Sequence, residues 1–181
     1  MIKYLAILLL LPSIAYGQTS NGGVDNTWKT YEQNEYSVQY PSDWELDVSG
    51  QMQSIFILFS PLESEEDRFR ENVNLITQDL TGQSIDLDRY TEISEEQVRT
   101  LLPNSSIVES RRVKKGAHEF HKLVYTGEQG EMELVFEQYY GIWKDKAYVL
   151  TLTSTKTTAG QYKKTGEKIL DSFLLKKYLE D

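Results

Sequence analysis

The sequence contains no cysteine. No disulfide can form, no thiolate can serve as nucleophile or metal ligand, and no lipid can be attached through a cysteine at a processed N-terminus. Histidine is nearly as scarce, with His118 and His121 alone, so a metal site built on three histidines is excluded. Glycine-rich phosphate cradles are missing, since neither G-x-G-x-x-G nor G-x-x-x-x-G-K-[ST] occurs. The G-x-S-x-G turn of a serine hydrolase is absent as well. Positive charge is in deficit: 19 lysines and arginines stand against 28 acidic residues, a net charge of −9. A surface of that sign repels a phosphate backbone, which argues against nucleic-acid binding.

There is no apolar run of the roughly 20 residues that a membrane-spanning helix needs. The longest begins the chain: "MIKYLAILLLLPSIAYGQ" has a basic Lys3, an apolar stretch from Tyr4 to Leu11, and small residues at Ala15 and Gly17. This pattern reads as an export signal over residues 1–17, cut before Gln18, leaving no membrane span in the mature chain. The small-polar segment "TSNGGVDNT" follows, and residues 18–27 read as a flexible tether. At 181 residues the remainder suffices for one domain with a sizeable core, expected over 28–176, followed by a short tail at 177–181.

Within that domain most segments alternate. Tyr36, Val38 and Tyr40 of "EYSVQY" point one way, and Glu35, Ser37 and Gln39 the other, which predicts a strand with one buried face. Pro41 ends it, and the Pro-Ser-Asp-Trp corner is read as a joint that turns Trp44 back against the sheet. "SIFILFS" reads as a strand covered on both faces, and "ENVNLITQDL", "SIVESRRV", "HEFHKLVYT", "EMELVFEQYYGIW" and "AYVLTLTST" as further strands. Gly116, the "GEQG" segment at 127–130 and "KDK" at 144–146 supply turns. The period changes over 86–102, where Leu87, Tyr90, Ser94, Val98, Leu101 and Leu102 fall on one side of a helix that Pro103 stops. A capping box at Ser94-x-x-Gln97 allows that helix to start as late as Glu95. A second helix, opening at a capping box Thr158-x-x-Gln161, places Tyr162, Gly166, Ile169, Leu170 and Phe173 on its docking side. Short turns between successive strands make the sheet mostly antiparallel, and two amphipathic helices must each bury a stripe against it, an α+β three-layer α/β/α sandwich.

The segments "YSVQYPSDWEL", "NVNLITQDL", "LLPN", "HKLVYT", and "AYVLTLTST" with "ILDSF", in that order from Tyr36 to Phe173, carry a resemblance. Together they are similar to the superfamily of photosystem PsbP proteins, Ran-binding Mog proteins and bacterial DcrB lipoproteins. The resemblance implies a central antiparallel sheet between helices and a binding role without catalysis. It does not transfer a partner: this chain lacks the DcrB lipoprotein cysteine, carries an export signal that Mog proteins do not have, and shows nothing of a photosystem.

Several groupings were weighed for chemistry. His118 and His121 stand three apart, which on a strand sends them to opposite faces and removes a shared zinc site; His121 with Glu119 is the remaining metal option. The acidic run Glu63, Glu65, Glu66 and Asp67 lacks the spacing and central glycine of a calcium loop and reads as a solvated loop. The basic cluster Arg111, Arg112, Lys114 and Lys115 reads as a solvated strand end. Tyrosine is abundant, and because Tyr139 and Tyr140 are neighbours on a strand, some rings are expected to surface. No residue is therefore assigned a catalytic, cofactor-binding or metal role. The expectation is an exported, non-enzymatic PsbP-like domain, periplasmic or secreted, that contacts another envelope or extracellular protein. The alternative is a small-ligand or metal-binding module with a pocket between sheet and helix.

Overall fold

The computed structural model describes residues 27–176; the segments read as an export signal and, but for its last residue, as a tether, and the tail 177–181, lie outside the described residues. Ten strands and two longer helices follow in the order β1 (Trp28–Glu32), β2 (Tyr36–Pro41), β3 (Glu45–Asp47), β4 (Phe56–Phe59), β5 (Asn72–Asp79), α1 (Leu87–Leu101), β6 (Ser106–Lys115), β7 (His118–Gln129), β8 (Met132–Trp143), β9 (Lys146–Thr155), α2 (Ala159–Ser172) and β10 (Leu174–Leu175). Seven strands form one antiparallel sheet in the order β3-β4-β5-β9-β8-β7-β6, and β1-β2-β10 form a second, smaller one.

Two cores flank the large sheet. On one face Tyr90, Val98 and Leu102 from α1 and its end meet Leu123, Tyr125, Leu134, Phe136, Tyr140 and Val149. On the other, Ile169, Leu170 and Phe173 pack with Tyr36, Val38 and Tyr40 of the small sheet over Phe56, Leu75, Phe120, Tyr139 and Leu150. The layers are thus α1, then the large sheet, then α2 with the small sheet beside it. The expected α+β sandwich is observed, with the refinement that the first and last strands leave the main sheet.

Covering both faces settles the tyrosines. Tyr139 and Tyr140 point to opposite faces as alternation requires, yet they are only 6 % and 1 % exposed, because each face has its own lid. The expectation that one of them surfaces fails for that reason.

The helix ends also differ from the sequence reading. Helix α1 starts at Leu87, where Asp86 Oδ1 accepts the Arg89 N–H at 2.8 Å, a side-chain cap of the usual kind. Ser94 is buried in mid-helix and its hydroxyl donates to the Tyr90 carbonyl at 2.6 Å, so it caps nothing. Leu101 points away from the core and is 59 % exposed. At α2, Thr158 precedes the helix but makes no side-chain cap; its hydroxyl instead donates to Glu71.

Three turns explain the long hairpins. Gly116 and Gly130 adopt positive φ, and Lys144 and Asp145 both do so (50° and 54°), the two-residue geometry that matches the twist of paired strands. Strand β7 runs through Gly127 to Gln129, so the reversal falls at Gly130 and Glu131 and not across the whole "GEQG" segment. Gly166 of α2 sits so close to the sheet that a Cβ there would lie 2.3 Å from Leu152 Cδ2. The absent side chain lets the helix settle onto β9.

A cleft walled by the Pro41–Trp44 corner

The corner that breaks the first alternating segment carries the chain from one sheet to the other, with β2 before it in the small sheet and β3 after it in the large one. The Trp44 N–H donates to the Pro41 carbonyl at 3.0 Å, closing the turn. Trp44 is then held in the core, 5 % exposed, with its ring edge-on to Tyr162 of α2 at 6.2 Å. The joint reading holds as architecture.

The same corner walls an open cleft of about 510 Å³. Trp28, Trp44 and Tyr162 supply aromatic surface, Asp43 and Glu63 supply carboxylates, and Gln161 and Thr165 of α2 complete one side. The volume falls in the usual range of ligand sites. Sequence reasoning missed it because its walls come from four separated stretches; the one available signal was a tryptophan on each side of a strand–proline corner.

The side chains that line the cleft include two carboxylates and no cation. Behind Tyr162 lies Glu71, 1 % exposed, whose carboxylate accepts from the Thr158 hydroxyl and, at 3.5 Å, the Ser60 hydroxyl. Burial raises the affinity of Glu71 for a proton. Burial, together with the charges of Glu71 and Glu63, pushes the Tyr162 phenol up to about 12.

The residues considered from sequence separate in space. His118 lies edge-on to Trp143 at 4.7 Å, whereas His121 faces α1 and stacks on Tyr140 at 5.3 Å. Among the described residues, no three His, Asp or Glu side chains gather into a metal-binding group. The acidic loop closes partly on itself: Asp67 accepts from the Glu63 and Phe69 N–H groups, and Glu63 accepts from Gln161 Nε2 at 2.9 Å. The basic cluster is spent on the edge strand β6, where Arg111 pairs with Glu109, Arg112 with Asp88, and Lys115 with Asp171. Charges along an exposed edge discourage a further strand from adding there.

Two groupings were not foreseen. The register of β6 on β7 places Arg112 opposite His121 and Ser110 opposite Leu123, so Ser110 lies diagonally beside His121. Their Oγ and Nε2 atoms are 2.8 Å apart. This pair is wired against catalysis. The Ser110 hydroxyl donates to Glu95 Oε1 at 2.6 Å, and that bond leads the causes holding Glu95 below its ordinary carboxylate value. An ionised Glu95 can only accept, so Ser110 gives its one proton there, and His121 Nε2 must donate to Ser110. His121 Nδ1 is buried with no partner, where a triad would put the orienting carboxylate. Burial first, then the Arg112 charge, lower the His121 pKa and keep the ring neutral.

The second grouping is a buried ion cluster under α2. Lys122 Nζ lies 2.9 Å from Glu137, 3.4 Å from Glu167 and 3.5 Å from Glu109. Burial alone would lower the Lys122 pKa, but the hydrogen bond and charge of Glu137, with Glu109, outweigh it and the net shift is upward. Burial also raises Glu137, opposed by Lys122 and reinforced by the other two carboxylates, as expected when three acids share one cation. The cluster ties β7 and β8 to α2.

Solved structures share this fold. A Pseudomonas aeruginosa protein of unknown function, described as a putative regulator, aligns with a TM-score of 0.61 at 13 % identity, covering 83 % of this chain and 99 % of its own. LpqN of Mycobacterium tuberculosis, involved in cell envelope biogenesis, aligns at 0.62 and 13 % identity, covering 83 % and 91 %. The cyanobacterial PsbP of Synechocystis, CyanoP, aligns at 0.57 and 15 % identity, covering 87 % and 98 %. At these identities the likeness is one of fold, and no curated protein matches the sequence. The family model described as PsbP-like protein, by contrast, matches residues 14–175, which takes in both cores and every wall of the cleft: the chain belongs to the PsbP-like family.

Proposed function

We propose that this chain is an exported, non-enzymatic domain that acts by binding another protein of the cell envelope. The observation that carries the reading is a contrast in how its polar groups are used. Ser110 and His121 are engaged by each other and by Glu95, and Lys122 by its three carboxylates. The aromatic cleft at the Pro41–Trp44 corner stands open at the surface. Tyrosine and tryptophan in an open cleft favour recognition over turnover. The leader-like residues 1–17 support export, and the fold shared with LpqN supports an envelope setting. Among the described residues, no helix is long and apolar enough to cross a membrane.

The test is site-specific photo-crosslinking in the cells that produce the protein, with the probe placed at Gln161, Thr165 or, as a remote control, Glu92. A discrete adduct to one envelope protein, formed from some surface positions and not others, is the expected result. The second reading, a small-ligand module, rests on the volume of the cleft. It takes over if no position crosslinks while the purified protein carries a stoichiometric small molecule or metal. Export is checked separately by the mass of the mature chain, expected to begin at Gln18.

A further inference from the structure

We infer that the cleft receives a cationic side chain, lysine or arginine, presented by the partner protein; this rests on the protein-binding reading above. Three aromatic residues, Trp28, Trp44 and Tyr162, line one cavity, and the faces of such rings attract ammonium and guanidinium groups through their quadrupoles. Two carboxylates line the same cavity. Glu63 is engaged by neutral groups, the Gln161 amide and the Tyr162 phenol, and has no ion pair among the described residues, while the exposed Asp43 carboxylate has neither hydrogen bond nor ion pair among them. The lining therefore holds negative charge that the fold does not neutralise.

The molecule's own cations sharpen the argument. Lys168 Nζ lies 3.9 Å from the centre of the Trp28 ring, so this indole already holds one ammonium. Lys29 Nζ is engaged by the Ser42 carbonyl at 2.9 Å. Both are near the rim, and neither forms an ion pair with Asp43 or Glu63. An anionic occupant would meet the Asp43 and Glu63 carboxylates, and a chain of net charge −9 would slow its approach. A cation on a flexible stem gains from both kinds of wall, its methylenes lying on the rings and its charge beside the carboxylates.

The test uses the full mature chain and three capped tripeptides, Gly-Arg-Gly, Gly-Lys-Gly and the neutral Gly-Gln-Gly, with maltotriose as an uncharged sugar. The indole N–H signals of Trp28 and Trp44 report the cleft by nuclear magnetic resonance. Trp143, beside the β8–β9 turn that pairs with the far end of β5, is the internal control. The Arg and Lys peptides should shift Trp28 and Trp44 and leave Trp143 in place, with affinity falling at high salt. The double variant Asp43→Asn, Glu63→Gln, changed only at exposed positions, should weaken them at least tenfold while its thermal unfolding is unchanged. Equal shifts from Gly-Gln-Gly, shifts from maltotriose alone, or unweakened binding by the double variant would overturn the inference. Envelope crosslinks that form only from the α1 side, with these titrations silent, would remove the cleft and leave the protein-binding reading standing.

Discussion

Leu102, which follows α1, occupies the space that a side chain on Gly127 would need: a Cβ at Gly127 would lie 2.2 Å from Leu102 Cδ2 and 2.4 Å from its Cγ. The Glu128 N–H, one residue on, donates to the Pro103 carbonyl at 2.9 Å. The end of α1 is thus keyed into β7 by a leucine over a glycine, the reverse of α2, where the helix provides Gly166 and the sheet Leu152.

Gly127→Ala should therefore destabilise the fold by about 1–3 kcal/mol through overpacking. Leu102→Ala alone should cost about 2–5 kcal/mol as a core truncation. Because the two residues share one space, the double variant should cost less than the two singles added together. Denaturant unfolding of the four proteins measures the coupling, and simple additivity would show that the notch is not tight.

Trp44→Ala removes the indole at the corner between the two sheets and should cost about 3–5 kcal/mol. For a domain of this size each kcal/mol lowers the melting temperature by about 2–4 °C. Thermal unfolding followed by near-ultraviolet circular dichroism checks it, and an unchanged midpoint would mean that the joint bears no structural weight.

Lys122→Met leaves Glu137 buried without its counter-charge, and removing one partner of such a pair typically costs about 3–5 kcal/mol at neutral pH. The sign with pH follows from Glu137, whose folded pKa is raised by burial. Acidification that protonates it removes the orphaned charge, so the deficit of the variant should shrink as pH falls into the carboxylate range. Unfolding at pH 7 and pH 4.5 compares the two.

His121 has a folded pKa lowered by burial and by Arg112. Its contribution is fully present above the unfolded value of about 6.5 and is lost as pH falls through that value toward the folded one. Wild type minus His121→Gln should give a stability difference that declines over that window and is flat above it. A difference constant from pH 8 to pH 5 would show that the ring does not titrate as its surroundings require.

Much of the fold was legible because period-two and helical spacings act locally. The alternation in "EYSVQY" and the stripe Tyr162, Gly166, Ile169, Leu170 reappear as buried faces, and the Pro41–Trp44 corner as a turn. The errors arose where a distant group competed. Thr158 matches a helix cap by spacing, but Glu71, far away in sequence, takes its hydroxyl. Ser94 fits a cap by spacing, but Asp86 caps the helix earlier and leaves Ser94 buried in its middle. Tyr139 and Tyr140 were misjudged because alternation says which face a ring points to, not whether that face is covered. The cleft was illegible for the same reason: no local pattern reports that Trp28, Asp43, Glu63 and Tyr162 meet.

Strand β10 pairs with β2 through Leu174↔Ser37 and Leu175↔Tyr36, and the Lys176 N–H donates to the Glu35 carbonyl at 2.9 Å. Strand β2 can pair locally with β1, but its other edge, above the core that α2 covers, is completed only by β10 from far along the chain. Contacts this distant along the chain favour slow, concerted closure over stepwise assembly from the front.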